Sequence, residues 1–238
     1  MRKKQTGGTL LKPYTDEQGI RRYPTPMGNF PSVTEILQAT ASKKEQDRLR
    51  KWQQKMDRLH GVGTATTESE QAKQRGTETH SLIEQYFKGE IDRLPDTEFL
   101  SDSTKPILKL LKLNAHAVEL PVWHPDGYAG TLDLYAHWDN QPTIIDFLTS
   151  KRWQRIEWVK KKFLQTTAYA IAYNWLFQTA IKNIAVIVLS PNKCQIFEDE
   201  ISTYRHEWES RLNHFLDVSK ETDPSSDRAN SNRSSSVK

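Results

Sequence analysis

The chain has 238 residues, with 34 Lys plus Arg against 30 Asp plus Glu and a formal net charge of +4. That length is enough for one sizeable core, and the small positive charge permits a nucleic-acid partner without demanding one. A single cysteine, Cys194, excludes an internal disulfide and a four-cysteine zinc or iron–sulphur site.

The beginning, MRKKQTGG, is basic with no apolar stretch behind it, unlike a secretory signal. Asp16 and Glu17 follow early, which argues against an organelle transit peptide. The longest aliphatic run, Ile184 to Leu189, is far too short to span a bilayer. The expectation is a soluble protein of a reducing compartment, cytoplasmic or nucleoid-associated, with no membrane partner.

Residues 10 to 31 are broken by Pro and Gly and fit short extended pieces such as GIRRYPT, in a hairpin. Ser32 or Thr34 caps a helix from near Val33. Residues 43 to 59 carry Leu49, Trp52, Met56 and Leu59 at helical spacing, and Gly61 and Gly63 interrupt. Another helix is predicted from Ser69 to Lys88, ended by Gly89. Then the period changes. VELPVWH, YAGTLDLYAHW and PTIIDFLT are short, alternating or β-branched, and separated by turn residues, so they read as three consecutive strands. A helix from about Arg155 to Phe177 follows, then a buried strand NIAVIVLS, a short strand CQIFED, and a last helix from Ser202 to Asp217.

This order predicts a single α/β domain over residues 1–218, with an N-terminal extension to about residue 68 and a core over 69–218. The remainder, 219–238, is rich in Ser, Asn and Asp and is expected to be a disordered tail.

Four groups of residues carry possible chemistry. Asp133 and Asp146 sit among apolar neighbours on consecutive strands, where a buried, unpaired carboxylate costs several kcal/mol. They either share a hard divalent cation or end their strands at the surface. His80 and Glu84 share one helix face in R75-G-T-E-T-H80-S-L-I-E84, and Arg75 suits a phosphate or a carboxylate. Gln165 and Tyr169 share a face of the later helix, just after Lys160, Lys161 and Lys162. Glu119 opens the strand series. Each has an ordinary structural reading alone: a solvated histidine, a solvated basic face.

Together, R-G-x-x-x-H-x-x-x-E, then Glu119, G130-x-x-D133, I-I-D146-x-L148 and Q165-x-x-x-Y169 resemble the RecB-like branch of the PD-(D/E)XK nuclease superfamily. The resemblance covers about Arg75 to Asn174. Upstream, a basic Tyr-containing piece and F-P-S-V-T-E-I-L look like the leading segment of the subgroup that includes the mitochondrial genome maintenance exonuclease.

The resemblance implies a restriction-endonuclease-like core, with helix, three-stranded meander, helix and strand around a mixed central sheet and flanking helices. It implies that His80, Asp133 and Asp146 ligate Mg²⁺ or Mn²⁺ with the Phe147 carbonyl, and that Glu119 is an outer or additional acid. Gln165 and Tyr169 would orient the site and the DNA strand. Only cluster-free relatives are similar, since iron–sulphur members need four cysteines.

The superfamily signature is Asp/Glu, any residue, Lys; here it is Asp146, Phe147, Leu148. Strand alternation points 146 and 148 the same way, so a leucine stands where an ammonium should flank the reacting water. Lys151 is the nearest substitute if the chain turns after Thr149. Lys160, Lys161 or Lys162 on the following helix are the others.

Two functions remain in view. One is a metal-dependent DNA nuclease, an exonuclease on single strands or ends, with catalytic residues Asp133, Asp146, Lys151, Gln165, Tyr169 and Glu119. The other is a catalytically impaired protein of the same fold that binds nucleic acid. In either, Arg75, Arg152, Arg155 and Lys160 to Lys162 are the expected phosphate contacts, and Trp153 or Trp158 either stack on a base or pack.

Overall fold

Two sheets and six helices form the fold, in a computed structural model that describes residues 12–17 and 19–222, the side chains of 221 and 222 excepted. Strands β1 (Tyr14–Thr15), β2 (Arg21–Thr25) and β3 (Gly28–Pro31) make a small antiparallel sheet in that order. Helix α1 (Val33–Ala39) follows directly, because the Glu35 amide donates to Ser32 Oγ at 3.0 Å and satisfies one of the free donors of its first turn. Helix α2 (Lys43–His60) starts on a capping box between Ser42 and Glu45. Gly61 and Gly63, at φ 100° and 89°, turn the chain into α3 (Thr64–Lys88). A side chain would strain that backbone.

Helix α3 begins five residues before the expected Ser69, over a polar stretch with little periodic signal. Helix α4 (Lys105–Leu113) has no counterpart in the sequence reading. Its nine residues are held by burying Leu108 and Leu111 one turn apart, and Pro106 is in its first turn, where no amide partner is lost.

The larger sheet contains β4 (Ala115–His124), β5 (Tyr128–Trp138), β6 (Gln141–Thr149), β7 (Asn183–Ser190) and β8 (Lys193–Glu200), in that order. Helix α5 (Ile156–Phe177) crosses over between β6 and β7, which are parallel; all other neighbours are antiparallel. The sheet is therefore mixed and the molecule α/β, with the three-strand meander, helix and strand in the expected order. Helix α6 (Ile201–Thr222) runs five residues beyond the expected Asp217, so 219–222 are helical; residues 223–238 lie outside the described residues. Among the described residues, no helix is long and apolar enough to cross a membrane.

Both faces of the sheet are covered. Ile184, Val186 and Val188 of β7 pack with Val159, Phe163 and Leu164 of α5, while Ala185, Ile187 and Leu189 pack with α3 and α4. This two-sided burial is why β7 reads as an unbroken apolar run. On β6, Ile144 and Leu148 face the α5 side, and Ile145 and Phe147 face the α3 side. Asp146 is thereby aimed at α5.

The sheet opens at one end. Strands β5 and β6 pair from Trp138 and Gln141 as far as Leu134 and Ile145, and stop. The next residues on the two strands are Asp133 and Asp146. Strands β4 and β5 also change face here. Val118 and Leu134 pack on the α3 side, Leu120 and Leu132 on the α5 side. Residues two apart on a regular strand share a face, so both strands cross over at Glu119 and Asp133. Glu119 takes φ 46° to do so, the left-handed region unusual for a residue with a side chain.

Candidate metal centre and active-site cleft

A cleft of about 1090 Å³ lies where β5 and β6 part. Its walls come from α3, the open end of the sheet, α5, and the N-terminal β2–α1 segment. Helix α3 contributes His80. The Phe147 amide, left without a ladder partner by the splay, donates to Asp133 Oδ2 at 2.8 Å. The Phe147 carbonyl is 3.1 Å from His80 Nε2. Because a carbonyl only accepts, Nε2 is the protonated nitrogen in that bond. In the neutral ring this leaves the Nδ1 lone pair directed toward Asp133 Oδ2, 3.5 Å away.

Either a proton on Nδ1 or a metal ion between the two groups satisfies this pair. Glu119 completes the group: one ligand atom each from His80, Glu119 and Asp133 lie within 4.8 Å of one another. Ligands held about 2.1 Å from an ion are at most about 4.2 Å apart, so a small adjustment brings all three to one ion. Imidazole and carboxylate donors suit Mg²⁺, Mn²⁺ or a heavier first-row ion. The Glu119 carboxyl is pushed up to about 8, by burial first and then by the charges of Asp133, Glu84 and Asp146, against a pull from Lys88.

Asp146 is the expected side-chain ligand that the structure does not bring into this group, and the Phe147 carbonyl, expected beside it, accepts from His80 Nε2 instead. Its carboxylate is buried, and Oδ2 is 2.8 Å from Nζ of Lys162. The ammonium is at bonding distance but poorly aligned for a hydrogen bond, and Oδ1 has no hydrogen-bond partner among the described residues. Burial, reinforced by Asp133, pushes Asp146 up to about 6, with Lys162 opposing. Burial also works against the charge of Lys162, but Asp146 and Asp133 outweigh it and hold the amine above the usual lysine range.

Lys162 lies in the cleft because of helix geometry. Lys162, Gln165 and Tyr169 are three and seven residues apart and share one face of α5. Gln165 Nε2 donates to the Tyr169 hydroxyl at 3.1 Å. The same ring explains Gly130, where a Cβ would come within 2.3 Å of Tyr169 Cε1. G130-x-x-D133 thus sets a bare backbone position against the tyrosine of Q165-x-x-x-Y169.

Lys151 is placed elsewhere. It follows the opposite face of β6 and pairs with Glu98 at 3.3 Å, beside a second pocket that Arg75 and Arg152 also line. The cation nearest the carboxylates is Lys162, not Lys151. The other basic residues are dispersed. Arg75 pairs with Glu68 at 3.2 Å, Lys160 with Glu207 at 2.6 Å, and Lys161 is exposed, near Glu45 and Arg211. Arg155 lies over the Trp158 ring. Trp158 and Trp153 are exposed, the latter under Lys193.

The sequence reading missed Arg21 and Tyr23, which line the cleft from β2. Alternation in GIRRYPT was the available signal: Arg21 and Tyr23 share a face, while Arg22 turns to Asp16 and Glu35, at 3.0 and 3.3 Å. Arg21 makes no ion pair among the described residues and is 5.2 Å from the Tyr23 ring centre. Tyr23 is buried, with its hydroxyl 3.3 Å from Thr131 Oγ1.

Compared with protein-family models and with curated proteins, the chain gives no match in either.

Proposed function

We propose that this chain is a metal-dependent DNA nuclease of the PD-(D/E)XK superfamily, RecB-like branch, with a restriction-endonuclease-like core, hydrolysing phosphodiester bonds of single-stranded DNA or DNA ends as an exonuclease. The observation that carries the reading is the Lys162 ammonium at 2.8 Å from Asp146 Oδ2. In this reading Lys162 takes the part of the signature lysine that Leu148 does not supply.

The donor set, one imidazole and two carboxylates, fits Mg²⁺ or Mn²⁺. Such an ion supplies Lewis acidity and lowers the pKa of water. The chain's own groups do the rest. Lys162 offsets negative charge that builds on the phosphate in the transition state; one such group is commonly worth about 10²–10³ in rate. Tyr169 and Gln165 present a hydroxyl and an amide to the strand. Arg21, on the opposite wall and without an ion pair among the described residues, is a cation that can take a phosphate. Without such cations an acidic cleft would repel a polyanion.

The test is incubation of labelled single-stranded DNA with the purified protein and Mg²⁺ or Mn²⁺. Wild type is expected to shorten it, Asp133→Asn to leave it intact, and Lys162→Ala to be slower by about 10²–10³. No product with either ion, with DNA binding retained, would replace this reading by a non-catalytic nucleic-acid-binding protein, the outcome that Leu148 favours.

A further inference from the structure

We infer that the two acids of the signature have exchanged duties: Glu119, not Asp146, completes the ion's ligand set with His80 and Asp133, while Asp146 is a positioning residue that holds Lys162. This rests on the metal-dependent reading above and assigns the residues within it.

Three observations converge. The first is grouping. His80, Glu119 and Asp133 are the only three His, Cys, Asp or Glu residues among those described whose ligand atoms gather within 4.8 Å. Asp146 does not join His80 and Asp133 at that spacing, although it is the strand neighbour of Asp133 across the splay.

The second is commitment. Asp146 sits on the α5 face of β6, and its Oδ2 is engaged by Lys162. Lys162 reaches this carboxylate from α5, and Asp146 makes no other ion pair among the described residues.

The third is backbone. Glu119 has φ 46° at the point where β4 changes face. A non-glycine residue in the left-handed region costs of order 1–3 kcal/mol and persists where the surroundings demand it. Here that conformation turns the Glu119 side chain into the cleft, rather than into either core layer.

The experiment is calorimetric titration of Mn²⁺ into wild type, Glu119→Gln, Asp146→Asn and Lys162→Ala, with cleavage rates at saturating Mn²⁺ for the last two and their double variant. Glu119→Gln should lose at least about tenfold more Mn²⁺ affinity than Asp146→Asn, which as a neighbouring, non-ligating change keeps most of it. Asp146→Asn and Lys162→Ala should be non-additive, the double variant being no slower than the slower single one, because each removes the same placed ammonium. Equal loss of Mn²⁺ binding in Asp146→Asn and Glu119→Gln, or additive rate losses, would overturn the assignment while leaving the nuclease reading intact. Wild type that binds no Mn²⁺ would sink both. Should Asp146→Asn not fold, Glu119→Gln decides alone: unchanged Mn²⁺ affinity there overturns the inference.

Discussion

Gly130 has no side chain because Tyr169 occupies the space, with its ring edge 2.3 Å from where a Cβ would be. The ring is buried and cannot swing into solvent, so Gly130→Ala must displace β5 or α5. We expect a loss of about 1–3 kcal/mol in a urea titration, as for other overpacked cores, with a larger fall in cleavage because Gln165 and Lys162 share the displaced helix. A neutral result would mean that Tyr169 has room to move. Leu148 poses the complementary question. It faces the α5 side beside Asp146, where Lys162 already provides an ammonium. Leu148→Lys alone should raise the rate little, since two ammonium groups would compete for one carboxylate. In a Lys162→Ala background it should recover at least about tenfold of the lost rate, a fraction of what one charged group contributes. A large gain in the wild-type background would show that Lys162 does not fill the role.

Helix α2 is the least integrated of the helices. None of its residues is buried, and Leu49 and Leu59 are exposed. It is held by its capping box and by Arg211 of α6, which bonds Glu45 and Glu207, each at 2.9 Å. Partial burial of Arg211 keeps these contacts away from full screening, and Glu45 is held below its usual pKa, although burial alone would raise it, by bonds to Ser42 and Arg211. Ser42→Ala should therefore weaken α2 by about 1 kcal/mol, read as faster amide exchange confined to residues 43–60, with little change in the global melting temperature. A global shift would show that α2 is coupled to the core more tightly than its exposure indicates. The N-terminal sheet packs Tyr23 and Phe30 against Trp123 and forms one wall of the cleft, and its two arginines divide the work. Arg22 is tied to Asp16 and Glu35, while Arg21 faces the cleft. Arg21→Ala should reduce the salt slope of single-strand binding by about one, and an unchanged slope would remove Arg21 from the phosphate path.

At the scale of the molecule, the cleft gathers more acid than base, and that sets a pH dependence. Glu119 in the fold rises from the usual carboxylate range to about 8 and Asp146 to about 6, both chiefly through burial. The folded state thus binds protons that the unfolded chain has released. Stability from these groups is fully present below the ordinary carboxylate pKa and is lost as pH rises through the folded values. The metal-free protein should melt at a lower temperature near pH 8 than near pH 5, and Mn²⁺ should close most of that gap by taking the place of the protons. A melting temperature that is flat or rising over this window in chelator would contradict it.

Much of this was legible in the chain. The alternation of PTIIDFLT fixed which face Asp146 shares with Leu148, the apolar run of NIAVIVLS marked a central strand, and Gln165 and Tyr169 announced a shared helix face by spacing alone. Such features depend on the local period of the backbone, and the residues carry that period themselves. Helix α4 escaped notice because nine residues with two buried leucines give too short a pattern.

Other features depended on how elements meet. Three consecutive lysines on α5 look alike in sequence; only the rotation of that helix against β6 selects Lys162 and turns Lys160 and Lys161 to Glu207 and the α2–α6 contact. Glu119 looked like an outlying acid until the change of face in β4 brought it beside His80 and Asp133. Local periodicity is written in neighbouring residues, whereas the choice among equivalent side chains follows from packing between segments far apart in the chain. No short stretch of sequence encodes that packing.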